Sequence, residues 1–313
     1  MNHLRVSLFG KFEVSYSNGL IEDLNGKKVQ ELLCYLFLNR ERPHSREKLA
    51  SLLWSENCTT SQSKAYLRKT LWQLQSALSA HEELVDYELV IVGPHWVELN
   101  TSDIWLDVDV FERTYETVKG IPGTELADQN VRMLQEAIEL RKGDLLENWY
   151  QDWCLFERER IQNIYLFMLD KMMEYCESCG RCEMGVGYGN LSLCIDPARE
   201  RTHRHLMRLH TFAGDRIRAL RQYQQCEVTL RDELGIEPSE PTRQLYSRIR
   251  DDKIRPVIRE DRMPTLNQND DRSSIQGRLD RIKKLQQIQV HIQNQIQNDI
   301  KAIETALLRR ETM

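Results

Sequence analysis

Apolar and polar residues alternate along the first part of the chain, which is the period-2 pattern of strands with one buried face. Between residues 4 and 24 this alternation predicts short strands that form a small sheet. The apolar positions of the alternation are Leu4, Val6, Leu8, Phe12, Val14 and Tyr16.

From Lys27 onward the apolar residues recur every three or four positions, which predicts amphipathic helices. The first helix should stop near Asn39, Ser45 can cap a second, and a third should start between residues 60 and 63. The residues expected to face inward are Val29, Leu32, Leu33, Leu36 and Phe37, then Leu49, Leu52, Leu53 and Trp54, then Leu67, Leu71, Leu74 and Leu78.

A β-hairpin should follow the third helix, because the apolar residues 89–92 and 96–99 flank Gly93-Pro94-His95. The predicted order is a small sheet, three helices and a terminal hairpin. Because this is the order of a winged helix, residues 1–102 are predicted to form an α+β winged-helix domain.

Residues 103–252 are predicted to form an all-α domain, which makes the chain mostly helical. Gly180 and Gly214 lie 34 residues apart, the period of tetratricopeptide repeats. Five residues after each glycine comes a small residue, Gly185 or Ala219, where paired helices must approach closely. This domain is therefore predicted to be tetratricopeptide-like.

The last part of the chain is expected to contain a linker, residues 253–274, and an oligomerising helix, residues 275–313. In the helix an apolar stripe recurs every three or four positions among mostly Gln, Asn, Lys and Arg, which predicts a coiled coil in a homo-oligomer. Docking onto a helix of another protein is the alternative. The stripe consists of Ile275, Leu279, Ile282, Leu285, Ile288, Ile292, Ile296, Ile300, Ile303 and Leu307.

Patterns typical of membrane proteins, secreted proteins and several enzyme classes are absent from the sequence. Without an apolar run of roughly 18 residues or a signal-peptide pattern, we expect a soluble, cytoplasmic protein that does not bind membranes. Without a nucleotide-binding loop, a nucleophile elbow or an HExxH motif, we expect neither an enzyme nor a cofactor. The carboxylates of Asp107 and Asp109 are expected to be solvated.

Three cysteines, Cys176, Cys179 and Cys182, form a CxxCxxC run, and Cys194 follows. Thiolates at this spacing can bind zinc or an iron–sulfur cluster, with Cys194 or a nearby histidine as the fourth ligand. The run also spans the end of one repeat helix and the start of the next, where small residues serve packing. We therefore expect a structural role and no bound metal, with metal or redox sensing as the alternative.

The formal net charge of −5 argues against nucleic-acid binding by the chain as a whole, but the charge is unevenly distributed. Basic and acidic side chains number 11 and 12 in residues 1–100, 20 and 28 in residues 101–252, and 12 and 8 in residues 253–313. On the third predicted helix, residues 61–80 contain Lys64, Arg68 and Lys69 but no acid.

The third helix of a winged helix usually lies in the major groove of DNA, with its inner stripe packed on the other helices. Lys and Arg can bind phosphates or guanine, and Gln can bind adenine. The outer face of this helix and the tip of the hairpin are therefore the predicted DNA-binding site. Its residues are Ser63, Lys64, Arg68, Lys69, Trp72, Gln73, Ser76 and His95.

These assignments have ordinary alternatives. The cationic face can be a solvated helix surface, and Trp72 can meet the hairpin or a neighbouring domain instead of DNA. In the hairpin we expect Trp96 in the core and His95 in contact with DNA.

Three stretches of the chain match a known pattern. They are Ser45-Arg46-Glu47-Lys48-Leu49 leading to Leu53-Trp54, Gly143-Asp144-Leu145-Leu146, and Ala219-Leu220-Arg221-Gln222-Tyr223 running to Asp232-Glu233-Leu234-Gly235-Ile236-Glu237-Pro238-Ser239. On these motifs, residues 4–250 resemble the SARP-type transcriptional activators, in which an OmpR-like winged helix is joined to a bacterial transcriptional activation domain.

The resemblance implies binding to double-stranded promoter DNA, often at direct repeats, and contact with RNA polymerase. It also implies that the tetratricopeptide-like domain packs against the winged helix and relays a signal or pairs protomers. The chain departs from the family at Trp72, Gln73 and Gln75, where basic residues are common. Fewer phosphate contacts imply weaker and less salt-sensitive binding.

We therefore expect a sequence-specific DNA-binding activator that recruits RNA polymerase and forms a homo-oligomer. The alternative function is a tetratricopeptide scaffold for protein partners whose winged helix no longer binds DNA. The small number of basic residues on the third helix allows this alternative.

Deletion of residues 275–313 should lower the order of the oligomer, because it removes the predicted coiled coil. It should also weaken binding to repeated DNA sites more than to single sites. Without the coiled coil, one bound winged helix no longer raises the effective concentration of a second one at the neighbouring site. Sedimentation measures the mass, and an unchanged oligomer after the deletion would contradict the assignment.

Overall fold

The described chain is mostly helical and carries two small β-sheets in its N-terminal part. A computed structural model describes residues 4–16, 19–21, 24, 26–54, 58–80, 88–102 and 104–254. The predicted coiled coil, and the predicted linker from residue 255 onward, lie outside the described residues.

The first sheet has the strand order β3-β2-β1-β7. Its strands are β1 (Leu4–Ser7), β2 (Glu13–Tyr16), β3 (Gly19–Leu20) and β7 (Ile104–Leu106). The alternation predicted for β1 is confirmed, because Leu4 and Val6 are buried while Arg5 is exposed. The guanidinium of Arg5 lies 3.6 Å above the ring of Trp105 on the neighbouring strand.

Strand β7 pairs in parallel with β1, with Leu4 opposite Ile104 and Val6 opposite Leu106. The sequence assigns residues 104–106 to the helical domain, and this prediction is wrong. Three residues are too few to reveal a period-2 pattern, and the partner strand lies about 100 residues earlier in the chain.

The three predicted helices of the winged helix are present. They are α1 (Lys27–Leu38), α2 (Arg46–Leu53) and α3 (Thr60–Ser79). Their predicted inner stripes are buried except at Leu52, which is exposed, and at Trp54, which is half-buried. Ser45 precedes α2 as predicted, but its side chain makes no capping hydrogen bond.

The start of α3 is fixed by a reciprocal pair of hydrogen bonds. The hydroxyl oxygen of Thr59 accepts from the backbone N–H of Gln62 at 3.4 Å, and the Gln62 side chain accepts from the backbone N–H of Thr59 at 2.8 Å. This capping box satisfies two backbone donors that the first turn of a helix leaves unpaired.

The second sheet contains the predicted hairpin. Its antiparallel strands are β4 (His44–Ser45), β6 (Trp96–Leu99) and β5 (Val90–Val92), in that spatial order. Because β4 directly precedes α2, the hairpin is held beside the first turn of that helix.

The helical domain contains seven α-helices among the described residues. They are α4 (Asp107–Val118), α5 (Asp128–Leu140), α6 (Asp152–Cys179), α7 (Cys182–Ile195), α8 (Glu200–Phe212), α9 (Arg216–Leu234) and α10 (Glu240–Arg250). Gly180 ends α6 with a φ of 69°, in the left-handed region that favours glycine. A Cβ on Gly185 would lie 2.8 Å from a methyl of Leu209, so α7 and α8 pack as closely as the sequence predicts.

The first sheet and the helical domain are joined by the carboxylate of Asp107, the first residue of α4. One oxygen accepts from the backbone N–H groups of Leu8 at 2.8 Å and Phe9 at 3.0 Å, and the other accepts from Val108 at 2.7 Å. The side chain is buried, at 3% exposure. Burial raises the pKa of Asp107, and the three N–H donors oppose this shift by stabilising the charged form.

Asp107 is therefore neither solvated nor available for catalysis, and the expectation of a solvated carboxylate is wrong at this position. Asp109 is partly exposed and pairs with arginine side chains. The distinction could not be drawn from the sequence, because the N–H partners of Asp107 lie almost 100 residues away.

A second connection is made by the loop between α5 and α6. Leu8 accepts from the backbone N–H of Leu146 at 2.8 Å, and Gly10 donates to the carbonyl of Asp144 at 2.8 Å. The guanidinium of Arg158 binds the carbonyl oxygens of Leu145, Leu146 and Trp149 at 2.7–2.9 Å. These bonds hold the loop in a conformation in which Leu146 has a positive φ of 47°.

One hydrophobic core runs through both parts of the chain. It includes the inner stripes of α1, α2 and α3, both sheets, and the buried faces of α4, α5 and α6. The rings of Phe9 and Phe111, one from each part, lie edge to face at 5.2 Å. The winged helix and the helical domain are therefore packed together, as the family resemblance implies.

Asp107→Ala should destabilise the fold by about 2–4 kcal/mol, because it leaves three backbone N–H groups without an acceptor at a buried site. Urea denaturation followed by circular dichroism measures the loss. The matched control is Asp128→Ala, since Asp128 is also the first residue of a helix but is exposed. It should cost less than about 1 kcal/mol, and equal losses for the two variants would contradict the role of Asp107.

Candidate nucleic-acid interface

The outer face of α3 presents a row of polar and basic side chains to solvent, and the inner stripe packs against α1 and α2. No acidic residue occurs in residues 61–80. The predicted contacts that lie exposed on this face are Lys64, Arg68, Lys69, Trp72, Gln73 and Ser76. The structure thus brings six of the eight predicted residues onto one helix face.

Ser63 does not belong to this face, and its prediction as a DNA contact is corrected. The residue is 5% exposed, and its hydroxyl donates to the carbonyl oxygens of Thr59 at 3.1 Å and Trp54 at 3.4 Å. At 3.6 residues per turn Ser63 falls with Leu67 and Thr70 on the buried side. A hydroxyl beside a cationic residue in the sequence can equally well be a local backbone partner.

Lys64 forms an ion pair that the sequence did not reveal. Its ammonium lies 2.6 Å from a carboxylate oxygen of Glu47 on α2. The hydrogen bond from Lys64 and its charge lower the pKa of Glu47, which is fully exposed. One of the three cations of the face is thus matched by an acid from the neighbouring helix, whereas Arg68 and Lys69 lie among neutral residues of α3.

The hairpin between β5 and β6 is tied to the start of α2. The backbone N–H of Arg46 donates to the carbonyl of His95 at 3.0 Å, and the Arg46 guanidinium donates to the carbonyl of Gly93 at 3.2 Å. His95 is exposed at the tip, where it was predicted. These bonds hold the tip in a fixed position beside the helix that carries Glu47.

Trp96 is not the core residue that the sequence predicts. It is 36% exposed, and its ring lies over Gly93, where a Cβ would approach the ring to 2.4 Å. Val97 and Leu99 fill the core positions of β6 instead. Because side chains alternate between the two faces of a strand, Trp96 points away from the buried face and Val97 points toward it.

Trp72 is 67% exposed among the described residues, so neither the hairpin nor the helical domain buries it.

A cleft of about 1000 Å³ lies between the end of α1 and helices α4 and α6. Arg40 reaches from the winged helix into it and binds Asp109 at 2.8 Å and Glu112 at 2.6 Å. Arg160 of α6 pairs with Glu112 and, at 2.8 Å, with Glu157. With Arg113, which binds Asp109 at 2.9 Å, three guanidinium groups balance the three carboxylates, and the network acts as a polar link between the end of α1 and helices α4 and α6. No sequence pattern indicates this network, since Arg40 lies about 70 residues or more from its partners in the chain.

The cysteine run does not assemble a metal centre. Cys176 is fully buried, burial raises its pKa to about 12, and Cys194 is exposed. Within residues 4–254, as far as the structure describes them, no three His, Cys, Asp or Glu side chains form a group that could hold a metal ion. Cys176 is buried, and its Cβ lies beside Gly185, where α7 approaches α6 closely.

Comparison with known proteins places this architecture in a family. Residues 106–250 match the bacterial transcriptional activator domain. The transcriptional regulatory protein MoaR1 of Mycobacterium tuberculosis is 23% identical over 230 residues, which cover 72% of this chain and 73% of MoaR1. Residues 106–250 are thus similar to a bacterial transcriptional activator domain, and the chain as a whole is similar to a transcriptional regulator.

The fold of this regulator is also found in a solved structure, that of Mycobacterium tuberculosis EmbR in complex with a low-affinity phosphopeptide. The two superpose with a TM-score of 0.69 at 20% sequence identity, over 82% of this chain and 67% of the EmbR chain. The matched domain family and MoaR1 both carry descriptions of transcriptional regulators. None of the helices in the described part of the chain is long and apolar enough to cross a membrane.

Proposed function

We propose that this regulator activates transcription by binding promoter DNA through the outer face of α3 and the tip of the β5–β6 hairpin, and by recruiting RNA polymerase. The observation that carries the proposal is the row of exposed cationic and polar side chains on an acid-free helix face. In a winged helix this is the face that enters the major groove.

The arrangement of the hairpin supports the same site. A hairpin tip tied to the start of α2 can reach the DNA backbone beside the groove that α3 enters. His95 at this tip and Arg68 on α3 are both exposed. Contacts of this kind with the DNA backbone position the winged helix, whereas contacts between α3 side chains and base edges specify the sequence.

The acidic helical domain limits DNA to this one side of the molecule. Residues 101–252 carry 20 basic and 28 acidic side chains, so that part of the chain repels phosphate. It is free to contact a protein, and we propose that the subunit contacts of RNA polymerase lie there. Residues 275–313 are proposed to join regulators into a homo-oligomer, which would add affinity at repeated sites.

Replacing Lys64, Arg68 and Lys69 together by Ala should weaken promoter binding at least tenfold at 100 mM salt, on the order expected for up to three lost phosphate contacts. The slope of log K against log salt concentration is negative, and it should become less steep by about 2–3. Fluorescence anisotropy of labelled promoter DNA across a salt series measures both quantities, and reconstituted transcription should lose activation in parallel.

The matched control removes three exposed cations from the helical domain, Lys119, Arg132 and Lys142. This variant should keep the affinity and the salt slope, because its charges lie away from α3. Equal slopes for both variants and the wild type would overturn the assigned face. A chain that captures protein partners but binds no duplex from a random pool would favour the scaffold function.

Glu47→Gln should raise DNA affinity about two- to fivefold at low salt, because it removes the acid that pairs with Lys64 and faces the approaching phosphates. The gain should shrink as salt is added, since the charge is exposed. Glu136→Gln, at an exposed position on α5, is the control and should leave the affinity unchanged. A loss of affinity in Glu47→Gln would mean that the pair holds Lys64 in its binding geometry.

A further inference from the structure

We infer that Trp72 contacts the methyl group of a thymine in the major groove, and thereby makes an A·T base pair at one position part of the site that this regulator recognises. The inference rests on the proposed function, because it requires that the outer face of α3 meets duplex DNA.

The position of Trp72 on the helix places it in the middle of the exposed face. Arg68 and Lys69 precede it by about one turn, and Ser76 follows by about one turn. All three are exposed, so the indole lies between side chains that can bind the two phosphate backbones lining a groove. A side chain in this central position points at the base edges.

Most of the surface of Trp72 is left open by the described residues. It is 67% exposed, although tryptophan is among the most costly side chains to leave in water. The indole carries one N–H donor and otherwise offers apolar surface. Its partner should therefore be apolar and lie in a negatively charged setting, because cations surround it.

Of the groups exposed in the major groove, the C5-methyl of thymine is the apolar one. The other groups are hydrogen-bond donors and acceptors, which the indole face cannot satisfy. The next residue, Gln73, is also exposed and is of the type that binds adenine through two hydrogen bonds. The two neighbouring side chains thus favour the two bases of A·T pairs.

Another exposed aromatic side chain shows that exposure alone would not support this inference. Phe156 on α6 is 72% exposed, but its neighbours one turn away include two exposed acids, Asp152 and Glu159, and the one cation there, Arg160, is already paired with Glu112 and Glu157. A phosphate backbone would be repelled there. Phe156 therefore provides a control with the same exposure and the opposite electrostatic surroundings.

The test begins with two random duplex pools, one synthesised with thymine and one with uracil, which lacks the methyl group. The full chain is used to select bound sequences from each pool. From the thymine pool, the wild-type chain should select sites with at least one strongly preferred T. In the uracil pool, the preference for the corresponding U should be lost or much reduced.

The affinity of the selected site is then measured with dT or dU at each preferred position. At the contacted position, dU should weaken wild-type binding about fourfold, the effect expected for one buried methyl group. Trp72→Ala should bind equally to both forms, and Phe156→Ala should retain the fourfold difference. The salt slope should stay the same in Trp72→Ala, because no charge is lost.

Two results would overturn the inference while leaving DNA binding intact. One is a selected site in which no dT-to-dU change matters, and the other is an unchanged dT/dU ratio in Trp72→Ala. If no duplex is selected and no salt-dependent binding occurs, the proposed function is wrong, and the inference that rests on it is wrong as well. The salt series and the uracil substitution thus separate the two failures.

Discussion

The carboxylate of Asp107 accepts hydrogen bonds from three backbone N–H groups, two of which belong to Leu8 and Phe9, directly after β1. A buried carboxylate in this place must keep its donors, because each N–H left unpaired is costly. The bonds fix where β1 ends, where α4 begins and how the first sheet meets the helical domain. Since α1 to α3 share a core with that sheet, the position of α3 also depends on it.

Much of the architecture follows from local periodicity. The buried stripe of α3 also defines its exposed face, because side chains on the opposite side of a regular helix must point away from the stripe. The stripe consists of Leu67, Leu71, Leu74 and Leu78. Periodicity also indicates the hairpin and the repeat glycines. What it cannot provide is any partner from another part of the chain. The strand β7, the donors of Asp107 and the ion pairs of Arg40 with Asp109 and Glu112 all depend on such partners.

The same reasoning explains the errors within the candidate site. Ser63 was expected on the DNA-facing side and is buried, whereas Trp96 was expected in the core and is exposed. A change of one residue reverses the side in a strand and rotates it by about 100° in a helix. Glu47 was missed because it belongs to a different helix from the face it affects. The site is thus a weakly cationic surface whose charge is set by two helices, and whose centre is an apolar side chain.

The parallel pairing of β1 with β7 bears on how the protein is made. The first strand leaves the ribosome about 100 residues before its partner, and Asp107 and the loop bound by Arg158 emerge later still. During synthesis β1 must therefore remain an open sheet edge, a template for wrong association. A winged-helix fragment cut at the end of the hairpin would keep that edge permanently unpaired. The natural unit of folding is consequently longer than the winged helix itself.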